Sequence, residues 1–289
     1  MSSIGNRLER RWVTALKAAV IALAVLCSVG PLLYGVLLSI RPLADVIARP
    51  LDLLPSFGEL DLTSYTTALK SESDDGFGLA RFMGNSLGVA LATTALAIAC
   101  SVLGAYAAVR LRFFARDTVN GLFLAVYLLP GIVLAVPLFV FFSRIGLAGS
   151  LTGLVLIYLA QTIPVALYML RNYFLAVPAS VEEAALIDGC GRLGLIRRVV
   201  LPMALPGIMA TSLYVFMIAW NEYLFALLFL VSDREQWTVA LGIAQLTEFS
   251  VPTTVLMAGS IAITVPIVVL FFWAQRMLIS GLTVGAEKG

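Results

Sequence analysis

The chain has 289 residues, 61% of them apolar and 12% charged, against roughly 45–50% and about 25% in a soluble domain, so the apolar excess must face lipid or other helices. Lys and Arg total 19 and Asp and Glu 17, a net charge of +2, which gives no reason to expect nucleic acid as a partner. There is no His, which removes the commonest base and metal ligand, and Cys27, Cys100 and Cys190 show no ligand spacing and read as unpaired small side chains.

A helix needs about 20 apolar residues to cross the hydrocarbon core. Six runs qualify: 14–40, 83–109, 119–142, 150–174, 203–231 and 253–278. The first is too long for a signal-peptide core, which has about 7–15 residues, and is expected to be retained as a span. Between the first two runs lies the longest polar segment, 41–82, with Pro42, Pro50, Pro55 and a polar stretch at 71–76; it is too short to bury a core and is expected as a loop rather than a domain. Pro31, Pro130, Pro137, Pro164, Pro206 and Pro266 fall inside the runs. Each removes a donor and tends to kink its helix, as expected of a bundle around a pathway and also common in membrane helices generally.

Six spans place both termini on one side. Arg7, Arg10, Arg11 and Lys17 come before or at the start of the first run; Arg110, Arg112 and Arg116 lie between the second and third. Arg171, Arg192, Arg197 and Arg198 flank or occupy the loop after the fourth, and Arg276 and Lys288 follow the core of the sixth. The alternate segments hold most of the acid, including Asp45, Asp52, Asp61, Glu72, Asp74, Asp75, Asp233 and Glu235. The positive-inside rule then puts both termini and the loop between runs four and five in the cytoplasm.

That loop, 178–202, is the most informative stretch. Glu182-Glu183-Ala184-Ala185-Leu186-Ile187-Asp188-Gly189 reads as a short helix. Ser180 and Glu183 have the spacing of a capping box, the two acids suit the helix N-terminus, and Gly189 and Gly191 suit its end. Glu183 is open to two readings, a capping residue and a contact for a partner; Ala184 and Ala185 leave one face shallow, so that a partner's cleft can close on it. Gly189-Cys190-Gly191-Arg192-Leu193-Gly194 matches G-x-G-x-x-G by letter, but no strand precedes it, so it is not a dinucleotide site. The chain carries no G-x-x-x-x-G-K-[ST] motif, so it is not its own P-loop ATPase and any such energy would have to come from a partner.

In the fifth run, Trp220-Asn221-Glu222-Tyr223 interrupts the apolar sequence, and Glu222 is the one acid well inside a run. A charge at the bilayer centre costs about 2.5–3.5 kcal/mol on insertion scales, so Glu222 has to face the bundle interior. Two readings stay open for it, a pathway residue contacting solute and a structural hydrogen bond; for Asn221 the pathway reading is preferred. The end, 281–289, is short and rich in glycine and lacks the apolar area to fold alone.

These features together resemble the permease subunits of bacterial ATP-binding-cassette importers of the carbohydrate-uptake branch, similar to the smaller maltose-type permease. The resemblance rests on E-A-A at 183–185 with Gly189 and Leu201-Pro202, on Asn85-Ser86-Leu87, Ala105-Tyr106-Ala107, Pro130 and Pro137, on Trp220-Asn221-Glu222, and on Gly281-Leu282-Thr283. Cys190 and Val199 stand where Ala and Ile are usual.

The resemblance implies an all-α, integral membrane bundle of six transmembrane helices, a single permease domain over 1–289 with a short cytoplasmic coupling helix. It implies a non-catalytic subunit of the bacterial cytoplasmic membrane. Its partners would be a homologous second permease, an ATPase dimer that binds the ATP and Mg, and an extracytoplasmic solute-binding protein, with carbohydrate as substrate; no cofactor is expected in this chain. Glu182, Glu183, Ala184, Ala185, Asp188 and Gly189 would couple to the ATPase, with Glu183 paired to a basic residue. Trp220, Asn221, Glu222 and Tyr223 would be pathway candidates, and Gly281, Leu282, Thr283 and Gly285 would reach the ATPase as a cytoplasmic tail. Polyols and glycerol-phosphate-type solutes are alternative substrates within the family. An ion-coupled secondary transporter is a rival, disfavoured because such proteins usually carry several intramembrane ionisable groups and an internal repeat; an integral-membrane enzyme is disfavoured by the lack of any catalytic cluster.

Overall fold

The computed structural model describes residues 2–50, 52, 60–248 and 251–286. The described residues are helical with short connections, and they group into two compact units. One comprises Met1–Gly78 with Leu246–Ala262, the other Leu79–Gln245 with Ile263–Gly289.

The first unit opens with α1 (Ser2–Ser39). From Trp12 onward it is long and apolar enough to cross a membrane, yet only 6% of its most apolar window is buried. Burial begins near its end, where a Cβ on Gly35 would meet Ile261 and Met257 at 3.7 and 3.8 Å. The segment expected as a plain loop carries α2 (Leu43–Ala48) and α3 (Thr63–Leu69). Arg41 organises the first of these and is only 1% exposed. Its Nε donates to Asp45 Oδ2 at 2.8 Å and its Nη2 to the Arg49 carbonyl at 3.2 Å, while Nη1 reaches the Asp52 carbonyl. Asp45 also accepts from Arg49 Nε at 2.8 Å. One buried guanidinium thus satisfies the carbonyls that a short helix leaves unpaired at its end.

The second unit contains α4 (Leu79–Arg110), α5 (Arg116–Tyr127), α6 (Gly131–Arg144), α7 (Leu151–Ala176), α8 (Ala179–Ile187) and α9 (Arg192–Leu195). A π turn, Ile196–Val200, leads without interruption into α10 (Leu201–Asn221), followed by α11 (Leu224–Leu230) and α12, which starts at Val239. The last helix, α13 (Thr253–Ala286), begins in the first unit and ends in this one. Among the described residues, five helical stretches are long and apolar enough to span: Trp12–Ser39, Leu79–Arg110, Leu151–Ala176, Arg192–Asn221 and Thr253–Arg276.

Two of the six expected spans need correction. The run 119–142 is not one helix. It divides into α5 and α6 at Pro130, which sits in extended backbone with φ −62° and ψ 123°. Proline lacks the donor that would continue the ladder and pushes the preceding residue out of the helical region. The run 203–231 is also divided, at Glu222, whose ψ of 125° ends α10. At its other end this span starts earlier than expected, since the helix begins at Arg192 within the stretch read as loop.

The core of the second unit is the packing of α4, α7 and α10. Lipid supplies no hydrophobic drive between helices, so close approach depends on small residues. Ala97, Ala166 and Val215, one from each helix, meet with no exposed surface. Gly207 on α10 lies so near the Tyr173 ring that a Cβ would fall 2.2 Å from it. Toward the Arg110 end, Ala105, Leu170, Phe174, Leu195, Val200 and Ala204 form one cluster, and this cluster is the floor on which α8 rests. The other end is closed by Asn85, whose Nδ2 donates to the Glu235 and Trp237 carbonyls, both at 2.9 Å, and by the Arg81–Glu235 pair at 3.0 Å.

Candidate functional site

The nine residues of α8 follow Val177 and Pro178 directly. Pro178, with φ −62° and ψ 130°, occupies the N-cap, and no side chain caps the helix. The capping box expected from Ser180 and Glu183 therefore does not form. The proline ring presets the entry dihedral, so the helix starts one residue before Ser180 and leaves that side chain inside the first turn. The far end follows the expectation at Gly189. Its φ is +82°, a conformation that costs an L-residue roughly 1–2 kcal/mol. Its N–H donates to the Leu186 carbonyl at 3.1 Å, and that of Cys190 to the Ala185 carbonyl at 3.0 Å, the paired bonds of a Schellman end.

The six coupling candidates fall on two faces. Glu182 points inward and is 6% exposed. Its Oε1 accepts from Arg110 Nε at 2.7 Å, and its Oε2 lies 3.5 Å from the Tyr106 hydroxyl, which donates to it. Ala185 is half-buried and packs on the cluster below. Glu183, Ala184, Asp188 and Gly189 are exposed. One residue of α8 outside the coupling candidates is widely open: Ile187 is 86% exposed. The signal was available, since Ile187 is a large aliphatic residue two positions after Ala185; it places apolar area on the same short helix as the exposed Glu183 and Asp188.

At the break in the fifth span, the four pathway candidates separate. Trp220 is buried and stacks on Phe216 with centroids 5.6 Å apart and planes at 21°. Glu222 caps α11, its Oε1 accepting the Phe225 N–H at 2.9 Å and its Oε2 the Ala226 N–H at 3.2 Å. The same Oε2 accepts the Tyr158 hydroxyl at 2.7 Å, and Tyr158 is 0% exposed. Both carboxyl oxygens of Glu222 are thus engaged within the chain, as the structural one of the two readings requires. Asn221 is exposed and donates to the Met217 carbonyl of its own helix at 2.8 Å, and Tyr223 is exposed beside it.

From Gly281 to Ala286 the backbone continues α13 as helix, because extending an existing helix adds a bond for each residue fixed and needs no core. The side chains of Leu282 and Thr283 lie outside the described residues, as do positions 287–289 entirely, including Lys288 and Gly289.

Residues 101–284 match the model of the family described as "Binding-protein-dependent transport system inner membrane component"; the matched region contains both α8 and the Glu222 break. The "Inner membrane ABC transporter permease protein YcjP" of Escherichia coli (strain K12) is 39% identical over 216 residues, 74% of this chain and 76% of that protein. The "Trehalose transport system permease protein SugB" of Mycobacterium tuberculosis (strain CDC 1551 / Oshkosh) is 38% identical over 208 residues, 71% of this chain and 76% of that protein. Among solved structures, a chain of a bacterial ABC transporter involved in the import of the acidic polysaccharide alginate has the same fold. It superposes with a TM-score of 0.80 over 93% of this chain and 97% of that one, at 20% identity.

Proposed function

We propose the following reading for a chain that belongs to the family of binding-protein-dependent transport system inner membrane components: it is one of two permease subunits of an ATP-driven carbohydrate importer in a bacterial cytoplasmic membrane. A homologous permease completes the pathway, an extracytoplasmic solute-binding protein delivers the solute, and a pair of ATPase subunits holds ATP and Mg below. The second unit itself supports the orientation. The Arg110 end of α4 meets α8 and the arginine-rich start of the fifth span, and the other end of α4 meets Glu235. The arginine-rich side is then cytoplasmic, by the charge asymmetry of short loops.

The observation that carries the reading is the two-sidedness of α8. Its inner face is tied down by Glu182 and Ala185, and its outer face offers Glu183, Ala184, Ile187 and Asp188 with small and apolar neighbours. A helix so held presents a fixed ridge to a cleft, and a partner that moves the ridge moves the membrane helices beneath it. Glu183 is the member suited to pair with a cationic side chain of the ATPase. The helical end of α13 is a second contact of the same kind, through Gly281, Leu282, Thr283 and Gly285. In the membrane, Asn221 and Tyr223 offer an amide and an amphipathic ring, the groups with which polyhydroxylated solutes are bound. Carbohydrate is supported by the relative named as a trehalose transport permease.

The test is uptake by the importer reconstituted with its partner subunits. Glu183→Lys should abolish uptake and reduce ATPase co-purification while the permease stays in the membrane. Normal uptake with normal co-purification would overturn the docking assignment.

A further inference from the structure

Glu182 and Glu183 are adjacent on α8 and point opposite ways. Glu183 faces solvent; Glu182 closes on Arg110, the last residue of α4. The Arg110 side chain does more than neutralise that carboxylate. While Nε donates to Glu182 Oε1 at 2.7 Å, Nη2 donates to the Val177 carbonyl at 2.7 Å and the Phe174 carbonyl at 3.2 Å. Those carbonyls lie at the C-terminal end of α7, where the ladder runs out; that of Phe174 also accepts the Val177 N–H at 3.3 Å. One guanidinium therefore joins three elements: the coupling helix, the end of α4 and the end of α7.

The chemistry suits a rigid joint. Arg presents several donors in a fixed planar fork, and charge-assisted bonds are shorter and roughly twice as strong as neutral ones. The pair is partly shielded, with side-chain exposures of 20% for Arg110 and 8% for Glu182. Apart from this joint, α8 is held by the short Val177–Pro178 linker, by its continuation through Gly189 into α9 and the π turn, by the Tyr106 hydroxyl 3.5 Å from Glu182 Oε2, and by apolar contact through Ala185. Apolar contact is non-directional and lets a helix slide; a three-way hydrogen-bonded joint does not. α4 and α7 pack along their length through the small residues of the core, so a displacement delivered to both ends moves them as a pair.

We propose that Arg110 and Glu182 are positioning residues that transmit displacement of α8 to the cytoplasmic ends of α4 and α7. They form a clamp separate from the surface that grips the ATPase. The inference rests on α8 being the docking helix, and it assigns opposite phenotypes to neighbouring glutamates. Changing Glu183 loses the partner; changing Glu182 keeps the partner and loses the stroke.

The experiment uses the assembled importer in lipid vesicles with its ATPase, second permease and binding protein. Three quantities are read: ATPase subunits retained on purification, ATP hydrolysed, and carbohydrate moved per ATP. Arg110→Ala, Arg110→Lys and Glu182→Ala should retain the ATPase and continue to hydrolyse ATP. The carbohydrate moved per ATP should fall by at least about fivefold, the lower end of typical coupling between sites. Arg110→Lys keeps the charge and loses the fork, so it separates a joint from a neutralised carboxylate. Should Arg110→Ala be lost from the membrane, Glu182→Gln, which keeps size and one acceptor oxygen, carries the comparison. An unchanged ratio in the variants that assemble overturns the clamp, and so does a loss of transport that only follows loss of the ATPase. Glu183→Lys is run alongside. If it transports normally, the docking reading and the clamp fall together; if it is defective while the Arg110 variants couple normally, the clamp alone falls.

Discussion

Tyr158 donates its hydroxyl to Glu222 across 2.7 Å, and the same carboxylate accepts two backbone N–H groups at the start of α11. An acidic residue in the middle of an apolar sequence thereby becomes a helix cap. Three donors meet it, so both carboxyl oxygens are engaged. Glu222→Ala would strand all three, at about 1–3 kcal/mol for each buried unsatisfied group. Thermal unfolding of the purified chain should rank Glu222→Ala well below Tyr158→Phe, with Glu222→Gln nearest the native protein. A Glu222→Ala protein as stable as the native one would remove the capping role.

The end of α8 offers a cleaner test. Nothing lies within 4 Å of a Cβ built on Gly189, so a substitution there meets only the penalty of φ +82°. That penalty is roughly 1–2 kcal/mol for an ordinary residue and less for Asn, which visits this region routinely. Hydrogen exchange of the α8 amides should accelerate in the order Gly189→Asn, Gly189→Ala, Gly189→Val. Equal protection in all three would mean that the Schellman bonds contribute nothing.

Contact between α7 and α10 depends on the missing side chain at Gly207. A methyl there would fall 2.2 Å from the root of the Tyr173 ring, and overpacking of this kind costs typically about 1–3 kcal/mol. Gly207→Ala should lower the unfolding temperature, and Gly207→Ala with Tyr173→Ala should recover part of the loss. A double variant no better than the single one would place the strain elsewhere.

The Arg41 knot predicts a response to acid. Hydrogen bonding from Arg41, aided by Arg49, holds the Asp45 carboxyl below its ordinary value of 3.8. A group whose folded value is depressed stabilises the fold at pH above the ordinary value, and that stabilisation is lost as pH falls through the depressed one. Limited proteolysis between Arg41 and Asp61 should be slow and constant near neutrality and should accelerate as pH drops below the usual carboxylate range. In Asp45→Asn the acceleration should vanish and cleavage should be fast throughout.

What could be read in the sequence depended on how local the cause was. The end of α8 was visible because Gly189 acts on its own backbone. The inward turn of Glu182 was not, because its partner Arg110 lies 72 residues away and a nine-residue helix has too few turns to show which face is buried. Pro130 carried the break in the third span openly, yet other prolines in apolar runs, such as Pro164, sit inside unbroken helices, so proline alone did not decide the matter. The break at Glu222 involves neither Gly nor Pro. It depends on Tyr158 in another helix, and in one dimension it looked like a charge in a continuous span. Arg41 was equally opaque, since a buried arginine is defined by the carbonyls folded around it and not by its own neighbours in the chain.

The π turn at Ile196–Val200 bears on which lengths the protein tolerates. Such a turn is an α-helix that has taken in one surplus residue, with the Leu201 N–H reaching back to the Ile196 carbonyl. Removing one residue from within it would restore the ordinary repeat and leave the faces of α9 and α10 in phase. The same deletion inside α10 would rotate everything beyond it by about 100°, carrying Ala204, Val215 and the Glu222 cap off their partners. The segment between α8 and the packed helices of the second unit thus holds a spare unit of register. There a single-residue deletion is conservative, while a few residues further along it destroys the fold.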